Sequence, residues 1–139
     1  MTDLTELTLR EMLAGLHAGA FSSRELTEAC LRRIEALEPE IHAFITLSAD
    51  RALAEADAAD RQLKNSNGDL PPLTGLPIAV KDVLCLQDVP CTSGSKILEG
   101  FIPPYTATCV KRLMEAGAFS LGKTNTDEFA MGSSTENSA

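Results

Sequence analysis

The sequence has no uninterrupted apolar run of about 18 residues, so no segment reads as a membrane-spanning helix. It has no cluster of lysine and arginine either. A nucleic-acid-binding surface needs such a cluster to displace counterions, so this chain is not expected to grip RNA itself. Its four cysteines, Cys30, Cys85, Cys91 and Cys109, include no C-x-x-C pair, and its two histidines, His17 and His42, have no ligand-spaced partners. A metal site is therefore not expected, and the thiols read as reduced packing residues rather than a disulfide frame. No lysine or arginine precedes Arg10, whereas Asp3 and Glu6 do. A secretory or mitochondrial leader needs positive charge there, which makes the cytoplasm the expected compartment.

What is present suits a globular chain: 139 residues, 44% of them apolar, with a net charge of −8. That length supports one modest domain with a core. The acidity is uneven, with 13 acids against 7 bases in residues 1–70 and 7 against 5 in residues 71–139.

Residues 1–70 read as a helical amino-terminal region. Thr8 with Glu11 and Ser22 with Glu25 each form a capping box, a side-chain answer to the unpaired amides that open a helix. After the first, Leu9, Met12, Leu13 and Leu16 share one helical face, and Gly19 stops the helix. After the second, Leu26, Cys30, Ile34 and Leu37 repeat at helical spacing, which puts Cys30 on a core stripe. Pro39 is expected to end that region. Ala43–Leu47 is a short apolar run read as an extended connector, and Ser48 caps an alanine-rich helix reaching about Lys64.

The turn-rich stretch Asn65-Ser-Asn-Gly-Asp-Leu-Pro-Pro72 marks a break. Beyond it, residues 71–139 read as the start of an α/β core. Leu76–Val80 and Ala118–Leu121 are short apolar runs suited to buried strands, and a helix containing Cys109, Val110, Leu113 and Met114 closes at Gly117 between them. Strand, crossover helix and strand form the unit of a parallel sheet. The fold class is thus α/β: a helical preface followed by strands of a mixed or parallel central sheet.

Two short motifs fit known chemistry only on paper. Gly117-Ala-Phe-Ser-Leu-Gly-Lys-Thr124 matches the phosphate-binding pattern G-x-x-x-x-G-K-[ST]. A working loop needs a strand before it and flexible backbone between the glycines, whereas here a helix precedes an apolar, strand-like run. Ser93-Gly-Ser-Lys96 fits S-x-x-K, but Gly94 and the nearby Pro90 favour a loop over the helix that motif requires.

Lys81 follows Leu76–Val80 and so sits at the carboxyl end of a strand, where parallel sheets gather ligands. Burial there would penalise the charged ammonium and yield a base. The alternatives are an ion pair with adjacent Asp82 or a lysine that snorkels out from the strand end.

The segment Leu73-Thr-Gly-Leu-Pro-Ile-Ala-Val-Lys-Asp-Val83 resembles the lysine segment of the amidase-signature family. The likeness continues through Gly94-Ser-Lys96, Pro103-Pro-Tyr-Thr-Ala-Thr108, Glu115-Ala-Gly-Ala118 and Leu121-Gly-Lys-Thr-Asn125. Asp127-Glu-Phe-Ala-Met-Gly-Ser-Ser-Thr-Glu-Asn-Ser-Ala139 is the most discriminating stretch. It resembles the A-subunit branch of the family, which serves tRNA-dependent amidotransferases. Ser22-Ser-Arg-Glu-Leu26 and Arg33-Ile-Glu-Ala-Leu37 are similar too.

The resemblance implies a Ser–cis-Ser–Lys mechanism with Lys81 as the catalytic lysine. Both serines would lie in a Gly-Ser-rich stretch that follows the segment matching Ala139. The sequence holds no Gly-Gly-Ser-Ser-Gly-Gly-Ser run, so neither serine is assigned, and Ser133 and Ser134 do not fill the role. By the same resemblance Met131, Gly132 and Ser133 are candidate substrate-binding residues; a polar turn is the alternative. The implied activity is release of ammonia from glutamine for a mischarged tRNA. B and C subunits would act as partners, and ATP and magnesium would be used outside this chain. A stand-alone amidase of the same family and a non-catalytic interaction module are the competing functions. The chain alone is expected to be inactive as an incomplete amidase domain, with a sheet edge and part of its core exposed if it stops at Ala139.

Overall fold

A computed structural model describes residues 3–66 and 68–139. A 3-10 turn at Leu4–Glu6 leads into α1 (Leu9–Ala18), α2 (Ser23–Ile41), β1 (Phe44–Leu47) and α3 (Ala49–Asn65). Then come β2 (Pro77–Lys81), a 3-10 turn at Lys96–Leu98, α4 (Thr108–Glu115), β3 (Phe119–Thr124) and a last 3-10 turn at Glu128–Ala130. Both capping boxes form, at Thr8–Glu11 and Ser22–Glu25. Gly19 closes α1 in the left-handed region, at φ +66°.

The three strands lie in the order β1–β3–β2. β2 runs parallel to β3 with Val80 opposite Lys123 and Lys81 opposite Thr124, and α4 is the crossover between them. The α/β fold class with a mixed sheet is therefore realised. Gly117 ends α4, as its place after the apolar stripe predicts. Its φ is +99°, its N–H donates to the Met114 carbonyl, and the Ala118 N–H donates to the Leu113 carbonyl. This paired closure is a Schellman motif, and it turns the chain directly into β3. A Cβ at Gly117 would also stand 2.7 Å from the Thr74 backbone.

Four details depart from the sequence reading. Ala43–Leu47 is no mere connector: Phe44–Leu47 is a strand, antiparallel to β3. Pro39 does not end α2, which continues to Ile41 and closes at His42 in the left-handed region. Proline removes its own amide and its ring crowds the carbonyl of Glu35, so the helix runs only two residues past it. Ser48 stands at the cap position of α3, but its side chain makes no capping bond; its backbone N–H donates to the Leu121 carbonyl instead. Finally, the outer members of three apolar stripes are exposed: Leu9, Leu37, and on α4 both Cys109 and Leu113.

The core has two clusters. In one, Ala52 and Ala56 of α3 meet Phe119 and Leu121 of β3, with Cys30, Leu31, Ile34 and Phe44 packed around them. Small side chains at helical spacing let α3 lie close to the sheet. In the other, Val80 of β2 meets Leu86, Val89 and Val110. Cys30 is a packing residue as expected, and its burial pushes the thiol pKa up.

Candidate active site

β2 and β3 finish side by side, and their ends differ. β3 is buried along Phe119–Lys123, whereas β2 pairs on one side only and leaves Ala79 and Lys81 exposed. The burial expected of Lys81 is therefore not found within this chain. Lys81 forms no salt bridge among the described residues.

The next residue points the other way, as strand alternation requires. Asp82 is 0% exposed and its carboxylate is fully engaged. Lys123 Nζ donates to Oδ1 at 2.8 Å; the Thr92 N–H and Oγ1–H donate to Oδ2 at 2.9 and 2.7 Å. Lys123 is also 0% exposed. The predicted alternative, an ion pair between Lys81 and Asp82, is therefore not formed: Asp82 pairs with Lys123 instead. A buried pair is tolerated only when good geometry and further hydrogen bonds satisfy both charges, which Thr92 helps to do.

Around this pair the chain wraps a loop. The Asp82 carbonyl accepts from the Ser93 N–H at 3.3 Å and from Cys91 Sγ at 3.0 Å. Burial raises the Cys91 thiol pKa, against the opposing pull of the nearby Lys123 cation. Ser93 and Gly94 both adopt positive φ, so residues 93–96 form a loop and not the helix that an S-x-x-K nucleophile needs. The phosphate-loop match fails just as clearly. Its residues 119–124 are β3, and its lysine is Lys123, committed to Asp82.

The loop's other side holds the carboxyl-terminal segment. The Ser93 carbonyl accepts from Phe129 N–H at 2.8 Å, the Gly94 carbonyl from Ala139 N–H at 3.0 Å, and Ser95 Oγ donates to Glu128 Oε1 at 2.6 Å. Within that segment Asp127 gathers the N–H groups of Thr135 and Asn137 at 2.9 and 3.2 Å. The backbone donor at Thr135, followed by those at Asn137, Ser134 and Glu136, holds the Asp127 pKa below its ordinary value. Gly132 sits so close that a Cβ there would overlap the Asp127 carboxylate. Met131, Gly132 and Ser133 are all exposed, Met131 at 79%. No hydrogen bond joins them to Lys81 among the described residues; the 92–95 loop stands between the two groups and bonds to the elements that carry each.

The match to the family model described as Amidase spans residues 25–139. This chain belongs to the amidase family. Over its full length it is 57% identical to the A subunit of the glutamyl-tRNA(Gln) amidotransferase of Chloroflexus aurantiacus, and 55% identical to that of Dehalococcoides mccartyi. The chain spans 28% of the length of those relatives. Among solved structures, the corresponding A subunit from Thermotoga maritima superposes with a TM-score of 0.74 at 32% identity, covering 100% of this chain and 27% of that one. The peptide amidase of Stenotrophomonas maltophilia gives 0.81 at 40% identity, covering 89% and 26%.

The sequence reading missed Asp82, Thr92 and Lys123 as a unit, and Asp127 as an organiser of the last loop. One signal was available. Lys123 follows an apolar strand-like run just as Lys81 does, and the logic applied to one lysine applied equally to the other.

Proposed function

We propose that this chain supplies the base of a glutamine-hydrolysing amidotransferase subunit. The observation that carries the proposal is the position of Lys81, an amine without a charged partner among the described residues at the carboxyl end of a parallel strand, in a chain so similar to amidotransferase A subunits. Lys81 takes the proton of a serine nucleophile through a bridging serine, giving an acyl-serine and ammonia; nucleophile, base and orienter act as one unit. Both serines belong to a Gly-Ser-rich stretch that this sequence does not contain. The base alone has no acyl acceptor, so these 139 residues by themselves release no ammonia. Met131, Gly132 and Ser133, on the loop gathered by Asp127, line the amide-binding side. B and C subunits pass the ammonia to a mischarged tRNA, with ATP and magnesium handled outside this chain, in the cytoplasm.

The resemblance to the peptide amidase favours a second reading, a stand-alone amidase. The two part in a single assay on the longest natural form of the protein. Glutamine-dependent amidation of glutamyl-tRNA(Gln) in the presence of B and C subunits supports the first. Hydrolysis of simple peptide amides without any response to those subunits would establish the second. For the 139 residues alone, a flat ammonia trace with glutamine is expected; release that disappears in Lys81→Ala would overturn the assignment of the missing serines.

A further inference from the structure

A base must be free to release its proton, and a carboxylate beside an ammonium opposes that release. Lys81 has such a carboxylate one residue away. Yet Asp82 is turned into the protein, where Lys123 Nζ and Thr92 take both its oxygens and where it is 0% exposed. Lys123 has no other acidic partner within salt-bridge range among the described residues. It is an expensive residue to bury, because a lysine wholly removed from water requires a neutralising partner.

We propose that Lys123 is a positioning residue for Lys81: by neutralising Asp82 on the buried face, it denies Lys81 the one counter-charge its own strand offers. Thr92 completes the arrangement by fixing the second oxygen. The significance of the proposal rests on Lys81 being the base, but its test does not. Lys81 is already exposed, so loosening the fold leaves its reaction with an acylating reagent unchanged or faster. Only added negative charge nearby slows it.

The measurement is brief labelling of the 139-residue chain with acetic anhydride near pH 8, followed by digestion and mass spectrometry. Exposed Lys64 and Lys96, which make no salt bridge among the described residues, serve as internal references. Lys123→Met leaves Asp82 without its cation, and labelling of Lys81 relative to the references should fall by about threefold or more. The neutral double variant Asp82→Asn/Lys123→Met should return it to the parent rate. Asp82→Asn alone removes the carboxylate and should not slow labelling of Lys81; a fall in that chain would overturn the proposal. Unaltered labelling in a folded Lys123→Met chain overturns the proposal. Where Lys123→Met does not fold, Lys123→Gln, which can still hydrogen-bond Asp82 but carries no charge, takes its place: slower labelling of Lys81 supports the proposal and unaltered labelling overturns it. Ammonia release plays no part in these readouts, so a failed labelling experiment leaves the glutaminase reading standing, and the reverse.

Discussion

Lys81 is the last residue of β2 and Lys123 the second-last of neighbouring β3, and the two lie under opposite conditions. Lys81 stands exposed on edge strand β2 with no charged partner among the described residues, while Lys123 lies wholly buried on β3 against Asp82. The contrast teaches that a lysine after an apolar run carries no fixed meaning. Its role follows from which face of the strand it occupies and which carboxylate that face provides. On the buried face the charge must be matched, and it becomes part of the scaffold. On the open face it stays available for chemistry.

The comparison breaks most visibly in turnover. Under the proposed function, Lys81→Arg in the longer protein should lose about 10²–10⁴-fold in ammonia release, because arginine keeps the charge and cannot act as a base. Its thermal midpoint should scarcely move, since an exposed, unpaired side chain contributes little to stability. Substantial turnover with arginine in place would make Lys81 a structural cation.

Lys123 should behave in the reverse manner. Lys123→Met in this chain leaves a buried carboxylate unmatched and should cost about 3–5 kcal/mol in urea unfolding. The neutral Asp82→Asn/Lys123→Met pair should recover most of that loss. A single variant as stable as the parent would show that the buried pair is not needed.

Asp127 sharpens the contrast, since backbone amides rather than a lysine satisfy it. Its folded pKa is depressed, so the stabilisation it provides is present above its ordinary value of 3.8 and is lost as pH falls through the lower folded value. Hydrogen exchange at Thr135 and Asn137, corrected for intrinsic rates, should therefore stay protected down to about pH 4 and lose protection below it. Gly132→Ala, which crowds that carboxylate, should raise exchange at the same two amides by about tenfold while leaving the core unchanged. The smallest expected effect is none at all. Titration with ATP and magnesium should give no saturable signal, because Lys123 is committed and residues 119–124 are strand.

The parts of the fold legible in the sequence are those that local chemistry decides. Two capping boxes, the Gly19 stop, the Gly117 turn and the strand–helix–strand unit each depend on residues a few positions apart. β1 was not legible because a short, mostly apolar run states only that it is extended; its partner β3 lies far along the chain. Lys81 and Lys123 are indistinguishable there for a related reason. Which of two strands is central is a property of the assembled sheet, and no window of residues contains it. Asp82 reads in sequence only as a neighbour of Lys81, although strand alternation sends it to the opposite face.

The antiparallel pairing of β1 with β3 sets a timetable for synthesis. The side-chain amide of Asn125 donates to the His42 carbonyl across a separation of 83 residues, beside the point where Phe44 meets Thr124. At roughly 5–20 residues per second, β1 leaves the ribosome several seconds before its partner exists. Through that interval its backbone is an open template beside an already formed α2. The short length of β1, four residues, keeps that wait from becoming an invitation to pair with another chain.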